Sequence, residues 1–202
     1  MQDARTALLD HLAKYAYQCS TEKKFLLASG AYSEEYLDCK LALSHPSAMT
    51  ALGPVFLDQL QRGVRAIGGL TMGSDPIAMA TACASDGTDR PVRWFTVRKE
   101  AKSHGQKKLI EGSVEPGEVV AVVDDVVTSG ASTIKAIQAC REGGLNIAQV
   151  IVLVDRQQAD GMANIRLAAG ENVPVWAIFN KAEIKARWQE LNPQRLTLVK
   201  TG

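Results

Sequence analysis

A chain of 202 residues, 46% of them hydrophobic, is long enough for one domain with a full core. Its 23 basic and 22 acidic residues leave a formal net charge of +1, which gives no case for nucleic acid or an anionic membrane as partner. No apolar run reaches the length of a membrane span, the start Met1-Gln2-Asp3-Ala4-Arg5 lacks the pattern of a signal peptide, and Cys19, Cys39, Cys83 and Cys140 form no C-x-x-C pair, so a cytoplasmic protein with reduced thiols is expected.

Residues 3–18 place Ala7, Leu8, His11, Leu12 and Tyr15 at helical spacing and predict an amphipathic helix, with His11 beside its apolar stripe in a structural role. Phe25 to Ser33 and Tyr36 to Leu41 read as two short strands around a Ser29-Gly30 turn. Asp38 and Lys40 then fall on one face of the second strand, where a plain exposed charge pair is expected. Pro46 to Arg62 predicts a helix, with Ser47 as candidate N-cap, Gly63 near its end and His45 in the preceding loop. Val64 to Leu70 is a short strand running into Gly68-Gly69-Leu70-Thr71-Met72-Gly73-Ser74-Asp75-Pro76, and a helix follows from about Pro76. Such a glycine turn lets a ligand approach the backbone, although it is neither the G-x-G-x-x-G fingerprint nor a P-loop.

Asp86 to Pro91 is a turn and Val92 to Val97 a strand. Next comes Arg98-Lys99-Glu100-Ala101-Lys102-Ser103-His104-Gly105-Gln106-Lys107-Lys108, with five cations and a histidine in eleven residues. A basic segment of this kind is usually a solvated hairpin or loop. Because it begins at a strand end, where ligands bind in open α/β sheets, it could also cover a polyphosphate and neutralise a leaving group.

The most informative stretch is Glu118 to Ser132. An apolar strand ends in Asp124-Asp125, a Val126-Val127-Thr128-Ser129-Gly130-Ala131-Ser132 segment turns the chain, and a helix follows from about Ser132 to Arg141. Backbone N–H groups converging at a helix start favour phosphate, and the two acids before the turn could hold sugar hydroxyls. Ile147 to Val154 is another strand, finishing at Asp155-Arg156-Gln157. There the Arg156 guanidinium could either pair with Asp155 or Asp160 on the surface or grip a planar carboxylate. A helix over Gly161 to Gly170, a strand over Val173 to Phe179 and a helix over Lys181 to Leu191 complete the alternation, which predicts a doubly wound α/β fold with a mainly parallel sheet. Trp94, Trp176 and Trp188 are assigned to core or interface; no internal repeat or interdomain linker is visible. The parts suit displacement at the anomeric carbon of a sugar carrying two phosphate groups, a reaction that needs no nucleophilic side chain.

Val122 to Gly130 resembles the phosphoribosyl-diphosphate (PRPP) signature of type I phosphoribosyltransferases. Val97 to Gly105 resembles the catalytic loop of the orotate phosphoribosyltransferase family, and Phe25 to Gly30, Tyr36 to Lys40 and Val154 to Gln157 are similar to that family too. The resemblance covers about residues 22–160. It implies one phosphoribosyltransferase domain over 1–202 with a hood formed by about residues 1–45. It also implies transfer of the 5-phosphoribosyl group from PRPP to orotate, giving orotidine 5′-monophosphate and diphosphate with Mg²⁺ in pyrimidine biosynthesis. It places the 5′-phosphate on the Thr128–Ser132 turn, with Val126 and Val127 before it also among the substrate-binding residues, and the ribose hydroxyls on Asp124 and Asp125. Arg98, Lys99, Lys102 and His104 would meet the diphosphate, with Lys102 and His104 catalytic, while orotate would meet Thr128 and Arg156. Mg²⁺ is expected to bind through PRPP rather than through protein ligands. The basic loop is expected to reach the neighbouring subunit's site in a homodimer, and no fused decarboxylase domain is expected. Where some family members carry lysines, this chain has Ala28 and, in the Met72-Gly73 pair, glycine; the amides of Leu70 to Ser74 and the charge of Lys40 are the candidate substitutes. The alternatives are a phosphoribosyltransferase for another base, against which Arg156 argues, and a PRPP-binding regulator without catalysis.

Overall fold

The structure is a computed structural model and describes residues 2–20, 22, 25–26, 32–100 and 109–194. The first amphipathic pattern forms α1 (Gln2–His11), which passes through a π-helical turn over Leu12–Ala16 into a short strand, β1 (Tyr17–Cys19). Leu8, Leu12 and Ala16 recur every four residues and are all fully buried, so one stripe carries the packing. Two-residue strands β2 (Phe25–Leu26) and β3 (Tyr32–Ser33) pair with each other, and β4 (Glu35–Leu37) pairs antiparallel with β1. The predicted Ser29-Gly30 turn lies outside the described residues.

The second predicted strand does not reach Leu41. It stops at Leu37, and Cys39–Leu43 form a short helix, α2. Asp38 caps it by accepting a hydrogen bond from the Lys40 N–H at 3.0 Å. Cys39, Ala42 and Leu43 are buried at helical spacing, whereas a strand would have turned Ala42 and Leu43 to opposite faces. Helix α3 (Pro46–Gln59) follows with His45 at its N-cap rather than Ser47, because Pro46 occupies the first turn with its φ already helical.

The central sheet contains β5 (Ala66–Leu70), β6 (Arg93–Val97), β7 (Ile110–Gly112), β8 (Val119–Val127), β9 (Asn146–Asp155) and β10 (Val175–Asn180), in the order β10-β9-β8-β5-β6-β7. All neighbours run parallel except β7, which returns antiparallel along β6. The sequence reading had no strand at β7. Its three residues carry no period, and pairing with β6 alone fixes them. Helices α4 (Asp75–Ser85), α5 (Ala131–Glu142), α6 (Gly161–Ala169) and α7 (Lys181–Leu191) make the crossovers and the C-terminal cover.

Side chains alternating along β8 feed two cores. Ala121 and Val123 join α1, α3 and α4 residues such as Leu8, Phe56 and Ile77, while Val120 and Val122 join α5 and α6 residues such as Ile137 and Ile165. From β5 the chain winds outward to β6; from β8 it winds the other way to β9 and β10. The order therefore reverses between β5 and β8, and their C-terminal ends open the crevice where ligands bind in such sheets.

Candidate active site

The two strand ends at that reversal carry the two turns singled out in the sequence. Strand β8 runs on to Val127, so Asp124 and Asp125 sit within the strand and face opposite sides of the sheet. Both are nearly buried, at 4% and 5% exposure. Asp124 faces α5, where its Oδ2 accepts from the Thr133 hydroxyl at 2.7 Å and its Oδ1 from the Asp125 N–H at 3.0 Å. Burial pushes the Asp124 carboxyl up to about 7, the neighbouring Asp125 charge adds to the rise, and the Thr133 hydrogen bond opposes it. Asp125 faces α2. Its Oδ1 accepts from the Val126 N–H at 2.8 Å and its Oδ2 lies 3.2 Å from the Lys40 ammonium, which also lies 3.1 Å from Asp38. The expected surface pair of Asp38 and Lys40 is thus an anchor on the carboxylate at the crevice, because capping by Asp38 turns α2 towards β8.

Beyond Val127 the chain turns through Thr128 and Ser129 to Gly130, which has φ +84° and starts α5 without a side-chain cap. No acidic residue lies in the first turn of α5, so its amides and positive end are left to an anion. The α6 region braces this turn from outside. Asn164 Nδ2 donates to the Ser129 carbonyl at 3.1 Å, and Gly161 packs so closely on Thr128 that an added Cβ would lie 2.3 Å from its carbonyl oxygen. The loop leading there holds Gln157, Ala159 and Asp160 at positive φ, a conformation that costs non-glycine residues energy and here folds the chain back onto the turn.

The first turn is built differently. The Thr71 hydroxyl and the Thr96 hydroxyl donate to the two oxygens of Asp75 at 2.7 and 2.6 Å, which ties the turn to the end of β6. The Thr71–Met72 peptide is cis. Gly73 presses on the acids: a Cβ there would lie 2.5 Å from Asp125 Oδ1 and 3.2 Å from Asp124 Oδ1. Both turns therefore border one pair of carboxylates. Thr71, Asp75, Thr96, Thr133 and Asn164 were not singled out in the sequence. An Asp at the first helical residue was a readable signal, whereas Thr133 and Asn164 depend on how α5 and α6 pack.

Arg156 follows β9. Its N–H donates to the Val127 carbonyl at 3.0 Å, and its Nη2 donates to the Leu37 carbonyl at 2.6 Å. No ion pair of Arg156 with Asp155 or Asp160 occurs; the guanidinium instead borders a small cavity of about 20 Å³ lined by Ser33, Glu35, Tyr36, Leu37, Gln158 and Lys181. Glu35 in that wall accepts from Tyr17, Lys185 and Lys181; burial opposes its ionisation, but these bonds outweigh it and hold Glu35 down at about 2. Arg98 stands at the end of β6, its N–H on the Leu109 carbonyl at 2.8 Å and its guanidinium 3.4 Å from Glu111. The Lys99 carbonyl accepts from Lys135 of α5. Lys102 and His104 lie outside the described residues.

No protein-family model matches the chain. A curated orotate phosphoribosyltransferase of Aquifex aeolicus (strain VF5) is 39% identical to it over 181 residues, covering 89% of this chain and 97% of that protein. The chain belongs to the orotate phosphoribosyltransferase family. A second orotate phosphoribosyltransferase, of Nostoc sp. (strain PCC 7120 / SAG 25.82 / UTEX 2576), is 40% identical over 188 residues, covering 93% of this chain and 88% of that one. Among solved structures, the Mycobacterium tuberculosis H37Rv orotate phosphoribosyltransferase in complex with Fe(III) dicitrate superposes with a TM-score of 0.74 at 30% identity, covering 90% of this chain and 98% of that chain. The same enzyme in complex with PRPP gives a TM-score of 0.69 at 25% identity, covering 90% and 92%. An adenine phosphoribosyltransferase of Rhodothermus marinus shares the fold at 17% identity and a TM-score of 0.63. The fold is thus that of the type I phosphoribosyltransferases. Within this orotate phosphoribosyltransferase family member, the structure brings Asp124, Asp125, the Thr128–Ser132 turn and Arg156 to one edge of the sheet, with Arg98 at the end of β6 along the same edge.

Proposed function

We propose that the protein transfers the 5-phosphoribosyl group of PRPP to orotate, releasing diphosphate and forming orotidine 5′-monophosphate in pyrimidine biosynthesis. The observation that carries this reading is the convergence of two turns on Asp124 and Asp125 at the reversal of the sheet. The Thr128–Ser132 turn takes the 5′-phosphate on its amides, and Asp124 and Asp125 accept hydrogen bonds from the ribose hydroxyls. Arg156, placed just past β9, spends one N–H on Leu37 and offers others to the planar carboxylate of orotate beside Thr128. Arg98, Lys99, Lys102 and His104 meet the departing diphosphate. Fixed cations stabilise charge that grows on the leaving group as the bond to the anomeric carbon lengthens, and His104 supplies a hydrogen bond or a proton.

Among the described residues no group of three His, Cys, Asp or Glu side chains is placed to hold a metal ion. Asp124 and Asp125 already accept from Thr133 and Lys40. This donor set would suit Mg²⁺ brought in with the substrate, which Asp124 and Asp125 would help to hold. When bound, Mg²⁺ would supply charge neutralisation at the diphosphate. We further assign residues 1–45 to a hood over the crevice, the basic segment to the site of a second copy in a twofold homodimer, and the protein to the cytoplasm. No helix among the described residues is long and apolar enough to cross a membrane. The test is direct: mixing the protein with PRPP, Mg²⁺ and orotate is expected to deplete orotate absorbance with equimolar diphosphate release. Turnover with hypoxanthine, adenine or uracil but not orotate would replace the acceptor, and no turnover with any base would remove the enzyme assignment.

A further inference from the structure

Among the described residues, the glycine-turn wall of the crevice is short of positive charge. The turn Leu70-Thr71-Met72-Gly73-Ser74 carries no cation. Position 73 cannot supply one in this geometry, since the first atom of any side chain would lie 2.5 Å from Asp125 Oδ1. Beside it stand the carboxylates of Asp124 and Asp125, and Asp38 adds a third on the α2 side of Asp125, where PRPP, a polyanion, would have to bind. The one ammonium in contact with them among the described residues is that of Lys40, at 3.1 Å from Asp38 and 3.2 Å from Asp125. It holds the Asp125 oxygen opposite to the one Gly73 abuts, so the lysine and the glycine turn meet one carboxylate from two sides.

Three features suit Lys40 to more than an ion pair. Its base is fixed: Asp38 caps α2, Cys39 is fully buried with its Sγ 3.8 Å from the Asp125 carbonyl, and the Leu37 carbonyl is held by Arg156. Its head is half-exposed: the Lys40 side chain is 47% exposed, so the ammonium can turn away from its two carboxylates without breaking the core. And it stays charged: burial alone would lower its pKa, but the Asp125 and Asp38 carboxylates outweigh burial and raise it.

We propose that Lys40 is a substrate-binding and positioning residue of this site: it orients Asp125 towards the ribose hydroxyls and provides the cation that the glycine turn lacks for the phosphates of PRPP. This rests on the phosphoribosyl-transfer reading and adds a contact made from the hood side. The charge is delivered in cis, from α2, and does not depend on the basic segment after Arg98. Lys40 acts in ground-state binding, so its removal is expected to raise KM for PRPP more than it lowers kcat.

Titration of the full-length protein with Mg²⁺-PRPP by calorimetry, followed by steady-state kinetics, tests this. Lys40→Met is expected to weaken PRPP binding at least about tenfold and raise KM for PRPP in step, with KM for orotate and kcat within about threefold; Lys40→Arg, which keeps the charge, is expected to recover most of the affinity. A Lys40→Met protein that binds PRPP within about twofold of wild type overturns the proposal, as does an equal loss for PRPP and orotate with a lowered Tm, which marks a purely structural role. Should Lys40→Met not fold, Asp38→Asn decides. It keeps the capping oxygen but releases the ammonium from a competing carboxylate, so PRPP is expected to bind as tightly or tighter, and weakening beyond about threefold overturns the proposal. A wild-type protein that binds no PRPP would instead sink the phosphoribosyl-transfer reading itself.

Discussion

Two strand–turn–helix units meet at the reversal of the sheet, and only one leaves its helix start open. In the unit β5–α4, Asp75 is the first helical residue; it places a carboxylate at the positive end of α4 and takes both threonine hydroxyls. In the unit β8–α5, the equivalent position is Ala131, and Gly130 caps the helix without a side chain. The first turn is thus internally neutralised and contributes shape, with Gly73 pressed on the acids. The second leaves its amides and dipole without a side-chain cap or an acidic residue in the first helical turn. A strand running into a glycine turn and a helix is therefore no phosphate site by itself; what matters is whether the chain already supplies the anion.

The sharpest way to break this contrast is to make the second turn like the first. Ala131→Asp is expected to weaken PRPP binding about a hundredfold or more, since like charges about 4 Å apart repel by roughly 4 kcal/mol near a surface. Its Tm should hold or rise slightly, because the new carboxylate favours the helix start. Calorimetry with Mg²⁺-PRPP checks the first expectation and thermal melting the second; retained affinity would show that the phosphate does not sit on α5.

Gly130→Ala attacks the same turn through its backbone. Its φ of +84° disfavours any side chain, and the new Cβ would lie 2.8 Å from both the Gly161 carbonyl and Ile165 Cγ1. A stability loss of about 2–4 kcal/mol is expected in urea unfolding, from left-handed strain plus overpacking. Asp75→Ala in the first turn should cost less, about 1–3 kcal/mol, for leaving two part-buried hydroxyls without their acceptor. It should also weaken PRPP far less than Ala131→Asp does.

A further expectation concerns pH. The Asp124 carboxyl lies at about 7 in the folded protein against an ordinary 3.8, so the folded state holds that proton more tightly than the unfolded chain. Its contribution to stability is complete below the ordinary value and is lost as pH rises through about 7. Asp124→Asn does not titrate and can still accept from Thr133. Without PRPP, its Tm relative to wild type is expected to climb between about pH 5 and pH 8. A gap that stays constant would show that burial does not favour the protonated acid.

Much of this was legible in the sequence because it is local. Apolar runs of the right length gave β5, β8, β9 and β10, and α7 begins and ends where its pattern does, at Lys181 and Leu191. Asp124-Asp125 followed by Thr128-Ser129-Gly130 marked the second turn, since those residue types at consecutive positions limit what the backbone can do. The strand β7 was not legible, because three residues carry no periodicity. Nor was α2, where one capping hydrogen bond from Asp38 overrode an extended pattern. The basic segment was visible as chemistry, but Lys102 and His104 lie beyond the described residues.

By itself, then, the sequence determined most of the order of strands and helices, the place of the second turn and the family. Tertiary structure alone decided that the two acids face opposite sides of the sheet, that Gly73 closes on them, that Arg156 braces Leu37 and that Lys40 reaches Asp125. The reason is distance along the chain. Periodicity and turn chemistry act over a few residues, whereas Lys40 and Asp125 are 85 residues apart and meet only because the sheet reverses beneath α2.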